Sequence, residues 1–243
     1  MKKSRHKWRK LVLLLLATTL VSLGISVAYI QHLTYQPSRP AKTALKVAKV
    51  NHNATTFTAH PNKLTVIFYP GALVNPNSYS IWAQQVANAG YTVKIAHFPL
   101  NLAIFSANKA SELVDHNEKY VIGGHSLGGV MAARYAHQNQ GNNLKGAFFL
   151  ASYPDEKGRL DQTNLPVLSI TAKNDGVLNW KNYRKSQKFL PINTNFFTIE
   201  GGNHGGFGSY GQQRGDKVAT ISNADQQKQL ANQLILWLNQ ITH

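Results

Sequence analysis

"VIGGHSLGGVMAARYA", residues 121–136, places four glycines and one histidine around Ser126, between a short apolar run and a pattern of helical period. Apolar β-branched residues ending at paired glycines predict a buried strand running to Gly124, and "LGGVMAARYAHQ" predicts a helix from Leu127 to Gln138. A G-x-S-x-G pattern alone is weak, because glycine-rich turns often contain serine. Set between a strand and a helix, it describes a sharp turn on which the serine is strained and its hydroxyl exposed. Small neighbours are required because the turn brings two backbone segments into close approach.

Outward from this stretch the chain alternates. "LTVIFY" (64–69), "YTVKIAHF" (91–98), "KYVIGG" (119–124), "LKGAFFLAS" (144–152), "PVLSITAK" (166–173) and "NTNFFTIE" (193–200) read as strands, most of them apolar on both faces. Helices are expected over 78–89, closed by Gly90, over 106–116, over 127–138 and over 224–242, where Leu230, Leu234, Trp237 and Leu238 share a face. "LKVAKV" and "ATTFTA", joined by Asn51, His52 and Asn53, read as a hairpin. Strands alternating with helices predict an α/β fold, a mainly parallel sheet with helices on both faces, as one domain over 44–243.

A serine hydroxyl needs a histidine to take its proton, and the histidine needs a carboxylate to fix its tautomer. Asp175 in "TAKNDGVLN" and His204 in "IEGGNHGGFG" each follow a predicted strand, at the same edge of the sheet as Ser126. Asp155, in "ASYPDEKGRL", is a second candidate for the acid. Two N–H donors are needed for a developing oxyanion. Leu127, directly after the serine, supplies one; Ala72 in "FYPGALVNP" is the candidate for the other, with Leu73 as its alternative. His97 and His125 are candidates to line the cleft, and the glycine-rich loop 205–215, with Phe207 and Tyr210, to shape an acyl pocket or to run over the surface.

The N-terminus has a different character. Six of the first ten residues are Lys or Arg, and residues 11–30 carry no charge over twenty positions. Such a helix is roughly 30 Å long, enough to cross the hydrocarbon core of a bilayer. The basic flank (1–10) predicts a cytoplasmic N-terminus, which puts the rest of the chain outside the cytoplasm, after a linker over 31–43. "SVA" at Ser26–Ala28 offers a peptidase site, so secretion after cleavage behind Ala28 is the alternative; the length of the apolar run favours a retained single-pass anchor. The formal charge is +16, of which +10 lies beyond residue 10 and is scattered. That balance suits anionic lipids or cell-wall polymers, and no nucleic-acid recognition motif accompanies it. With no cysteine in the chain, disulfides, thiolate metal sites and a cysteine nucleophile are excluded.

Taken together, "FYPGALV", "GGHSLGG", "KNDGV" and "EGGNHGGFGSYG" resemble the α/β-hydrolase superfamily, and within it the compact, lidless dienelactone-hydrolase-like group, over residues 63–240. The resemblance implies Ser126, Asp175 and His204 as a catalytic triad in a bacterial membrane-associated hydrolase, and acyl transfer by such a triad requires no metal or organic cofactor. Two departures stand out: Tyr69 and Pro70 precede Gly71 where a His-Gly motif is commoner, and serine replaces the cysteine of true dienelactone hydrolases. Only fourteen residues, 152–165, separate two core strands where many lipases insert a lid. The expectation is an ester hydrolase acting on small or exposed acyl groups. A thioesterase, peptidase or acyltransferase on the same machinery, or a non-catalytic surface binding protein, are the alternatives.

Overall fold

The computed structural model describes residues 2–141 and 143–242. Met1 of the expected basic flank, and Asn142 and His243 of the expected globular domain, lie outside the described residues, as do the side chains of residues 2–7 and Arg9. The chain forms two units, one ending at Thr34 and one beginning at Tyr35.

The first unit is a single helix, α1 (Lys2–Leu33). From Lys10 to Leu33 it has a mean hydropathy of 2.4 and is long and apolar enough to cross a membrane, either as an anchor or as a signal sequence. Leucines at 11, 13, 14, 15, 16, 20 and 23 are all exposed, so no protein core claims any face of it.

The second unit is built on an eight-stranded sheet in the order β1-β2-β4-β3-β5-β6-β7-β8. The strands are β1 (Lys49–Val50), β2 (Ala54–Phe57), β3 (Leu64–Tyr69), β4 (Tyr91–Ala96), β5 (Tyr120–His125), β6 (Leu144–Leu150), β7 (Val167–Ala172) and β8 (Asn195–Ile199). From β4 to β8 every pairing is parallel; β2 joins β4, and β1 joins β2, antiparallel. The central strands are apolar throughout because both faces are covered, and residues alternate between two cores. Val66 and Phe68 of β3 point to the layer formed by α3 (Ser80–Asn88) and α6 (Asn223–Thr242), where Trp82, Phe148, Leu234 and Trp237 meet. Ile67 and Tyr69 point to the opposite layer, where Met131, Ala132 and Tyr135 of α4 (Leu127–Gln138) pack with Ile122 and Phe149. Each large side chain buried in this way contributes about 1.5–3 kcal/mol.

Three sequence expectations are corrected. The helix over 106–116 is a single 3-10 turn, Lys109–Glu112. The buried Tyr69 hydroxyl explains this: it donates to Ala107 O and accepts the Ala110 N–H, both at 2.8 Å, taking backbone groups that a helix would pair internally. The hairpin is shorter than expected, because Leu45–Val47 turn as a 3-10 helix before β1. From Tyr35 onward the expected linker is instead part of the globular unit. Tyr35 donates its N–H to Leu73 O at 2.8 Å and Ser38 donates to Ser209 O at 2.8 Å. Ser38 also caps the short α2 (Arg39–Ala44), which has Pro40 in its first turn and Ala41 fully buried.

Candidate active site

The carboxyl ends of the parallel strands bring four loops to one edge of the sheet. At its centre β5 ends at His125, Ser126 stands alone at φ 52° and ψ −124°, and α4 begins at Leu127. Positive φ is strained for a serine, and the surrounding hydrogen bonds hold it there. Ser126 donates its N–H to Leu150 O at 3.0 Å on the neighbouring strand. Its carbonyl accepts Gly129 N–H at 3.0 Å and the Ser152 hydroxyl at 2.6 Å. A β-carbon at Gly128 would run into the carbonyl oxygens of Tyr69 and Pro70, so only glycine lets the first turn of α4 lie against the end of β3.

That contact brings the loop after β3 beside the serine. Its backbone donors are distributed selectively. Gly71 N–H is taken by the Tyr79 hydroxyl at 3.0 Å and Leu73 N–H by Asn101 O at 3.0 Å. Among the described residues, Ala72 N–H meets no acceptor, and neither does Leu127 N–H at the start of α4, where the helix dipole also favours negative charge. Of the two candidates in this loop, Leu73 is therefore occupied and Ala72 is free.

On the other side stand Asp175, after β7, and His204, after β8. Both are 1% exposed, and His204 Nδ1 lies 2.8 Å from Asp175 Oδ2. The second carboxylate oxygen accepts Val177 N–H at 2.8 Å and Leu178 N–H at 2.7 Å, which fixes the orientation of the group that faces the imidazole. His204 Nε2 is buried and has no hydrogen-bond partner; the bond to the Ser126 hydroxyl is not formed in this structure. Ser126 and His204 nonetheless open onto one cavity of about 240 Å³, walled by Leu127, Val130, Tyr153, Val177 and Leu178. Such a space, with an apolar wall and a paired base, suits a small acyl group beside a hydroxyl nucleophile.

The other candidates lie elsewhere. Asp155 is held by Arg134, which donates from Nε to both carboxylate oxygens and also from Nη2, and it makes no contact with His204. Burial raises the Asp155 pKa, but the Arg134 guanidinium together with the backbone N–H groups of Gly158 and Lys157 outweighs it, and the net shift is downward. His97 bonds to the Thr55 hydroxyl at 2.9 Å, and burial depresses its pKa. Phe207 and Tyr210 are buried in the core and do not line the cavity; the loop after His204 is buried as far as Tyr210 and runs largely over the surface from Gly211 to Gly215.

His125 is buried behind the serine. The Tyr79 hydroxyl, which accepts Gly71 N–H, shares a hydrogen bond of 2.9 Å with His125 Nδ1. The His125 ring lies against that of His204, with centroids 4.4 Å apart and planes tilted by 44°. Burial, and next the neighbouring His204, push the His125 pKa well below the usual histidine value, so His125 is neutral.

Several supporting residues escape a local reading of the sequence. Gln226 of α6 accepts Asn203 N–H at 3.0 Å and donates to Asn203 O at 2.8 Å. Its neighbour Gln227 donates to Gly206 O at 2.6 Å. Two glutamines on the buried side of an amphipathic helix break its apolar pattern, and that break is the one sequence signal that could have found them.

Comparison with known proteins agrees with the fold. The model of a family described as the alpha/beta hydrolase family matches residues 65–228. No curated protein matches the sequence. Among solved structures, a dienelactone hydrolase from Anabaena variabilis is similar with a TM-score of 0.60 at 14% identity, over 81% of this chain and 95% of that one. The esterase domain of a Rhodothermus marinus protein gives 0.59 at 12%, over 78% and 93%. A monoacylglycerol lipase from Paleococcus ferrophilus gives 0.54 at 14%, over 77% and 100%. At these identities the likeness is one of fold.

Proposed function

Because this chain belongs to the alpha/beta hydrolase family, we propose that it is a serine hydrolase that cleaves a carboxylic ester, or a related acyl bond, through Ser126, His204 and Asp175. The observation that carries the reading is a buried Asp175–His204 pair, with His204 Nε2 unpartnered among the described residues, and His204 lining the same cavity as a serine at positive φ. Ser126 Oγ attacks the substrate carbonyl carbon while His204 Nε2 takes the hydroxyl proton, and the carbonyl electron pair moves onto oxygen. Leu127 and Ala72 N–H groups stabilise that oxyanion. Collapse breaks the bond to the leaving oxygen, which receives the proton from His204. Water then attacks the acyl-enzyme with His204 again as base, releasing the acid and restoring Ser126. Asp175 keeps the imidazole in the tautomer whose Nε2 is open and stabilises its charged form.

A cavity of about 240 Å³ is smaller than the roughly 300 Å³ at which pockets for drug-sized ligands begin, which supports short acyl groups. The same machinery serves thioesters and amides, so the acyl bond is chosen by assay. α1 supports membrane anchorage, with the basic flank in the cytoplasm and the globular unit outside it. The test uses the full chain in detergent. A fluorophosphonate probe is expected to label the wild type and not Ser126→Ala, and short p-nitrophenyl esters to be turned over faster than long ones. Labelling that persists in Ser126→Ala removes Ser126 as nucleophile; a folded wild type that is neither labelled nor active on esters, thioesters and amides points to a binding protein on a hydrolase scaffold.

A further inference from the structure

Asp175 and His204 are 29 residues apart and stand on separate loops, each directly followed by a glycine, Gly176 and Gly205. Backbone pairing between these loops ends where Asn174 N–H meets Gly202 O at 2.8 Å, short of both side chains. Beyond that point a third carboxylate joins them. Asp216 Oδ1 accepts Gly176 N–H at 2.9 Å, and Oδ2 accepts Gly205 N–H at 2.8 Å. Lys217 N–H at 2.9 Å completes the set on Oδ1. One side chain thus holds the residue after the acid and the residue after the base, each through one of its two oxygens.

The packing supports the same arrangement independently. A β-carbon at Gly176 would lie 2.7 Å from Gly215 O and 2.9 Å from Lys217 N, so the segment carrying Asp216 reaches the acid loop only because residue 176 is glycine. The glutamines of α6 tie the base loop to the helix and leave the acid loop alone; among the described side chains that donate or accept hydrogen bonds, Asp216 bonds the backbone of both.

We propose that Asp216 is a positioning residue that clamps the Asp175 loop to the His204 loop and so sets the geometry of the Asp175–His204 hydrogen bond. This rests on reading that pair as the acid and base of the hydrolase. A carboxylate is the right group because it accepts on both oxygens. In Asp216→Asn one oxygen becomes an amide nitrogen that meets a backbone N–H donor, which opens the clamp on one side. A displacement of catalytic groups on the order of 1 Å costs about 100-fold in rate.

The test compares wild type, Asp216→Asn and Asp216→Glu as full chains in detergent, with three readouts. In Asp216→Asn, kcat is expected to fall about 10- to 100-fold with KM within about twofold, and the downfield proton NMR resonance of His204 Nδ1–H to be lost or moved upfield. Asp216→Glu, which keeps both acceptors, is expected to recover part of kcat and of the resonance. An unchanged resonance in Asp216→Asn overturns the proposal, whether or not kcat falls. Should Asp216→Asn not fold, hydrogen exchange of the wild type decides: protected Gly176 and Gly205 amides support the clamp, and exchange at the rate of free loop amides overturns it. A wild type that shows the resonance and its response to substitution, yet reacts with no acyl substrate or fluorophosphonate, keeps the clamp and discards the hydrolase reading.

Discussion

The two sides of the candidate site are held in place by different means. Ser126 sits between a central strand and a twelve-residue helix, and its position follows from neighbours in sequence: glycines at 124 and 128, the helix beginning at 127, and strand pairing on both sides of β5. His204 sits at the start of a coil that runs, with one 3-10 turn, from β8 to α6. It is held by side chains reaching back from far along the chain, Asp216, Gln226 and Gln227. Ser126 therefore inherits the rigidity of the sheet. His204 depends on a few polar contacts, each worth about 0.5–3 kcal/mol, and is the side more easily disturbed without unfolding the domain.

Substitutions at each side separate these two modes of support. Ser126→Ala is expected to lower kcat by roughly 10⁴-fold or more with the melting temperature nearly unchanged, since only the hydroxyl is lost; ester turnover and thermal melting together check this. Gly128→Val breaks the support of the nucleophile instead. Its side chain must displace the Tyr69 and Pro70 carbonyls, so turnover should fall at least about 100-fold and stability with it. Gln226→Ala probes the base side. It leaves Asn203 N–H and O without partners in the interior, at about 1–3 kcal/mol, or roughly 3–10 °C in melting temperature. Amide exchange should rise over 201–208 and not over 124–130; a uniform rise would show that the two sides are not independently held.

Acidity offers a finer probe. His125 is neutral when folded because burial and then His204 depress its pKa. The unfolded chain gains its proton below about pH 6.5, so stability should fall as pH drops below that value, by up to about 1.4 kcal/mol per pH unit from this one site. His125→Gln removes that component, and the melting temperatures of variant and wild type should converge between pH 6.5 and 5. The smallest effect belongs to Asp155→Asn, which loses a partly exposed pair with Arg134 at about 0.5–1 kcal/mol and should leave ester turnover unchanged. A large loss there would return Asp155 to the role of the acid.

The same contrast explains what was legible in the sequence. β3 and α4 fall on the predicted residues because buried parallel strands and helix starts carry local signals, an apolar run and a glycine-rich turn. The order Ser126, Asp175, His204 was readable because each follows a strand. Tyr69 was legible as a strand residue but not as the hydroxyl that converts the expected helix near 110 into one turn. Asp216 in "RGDKV" looks like any surface turn, and Ala72 emerged as the free donor only when Gly71 and Leu73 were seen to be engaged. What local pattern could not supply were side-chain hydrogen bonds to backbone across tens of residues.

Tyr35 ties to Leu73, next to the candidate oxyanion donor, and Ser38 ties to Ser209, in the coil after His204. The stretch directly following the apolar helix is thus a strap across two loops of the site. Processing behind Ala28 would spare it, so anchored and released forms would share one candidate site, whereas a version begun at β1 would lack the strap. The boundary that keeps the globular unit whole is Tyr35, well upstream of the first strand.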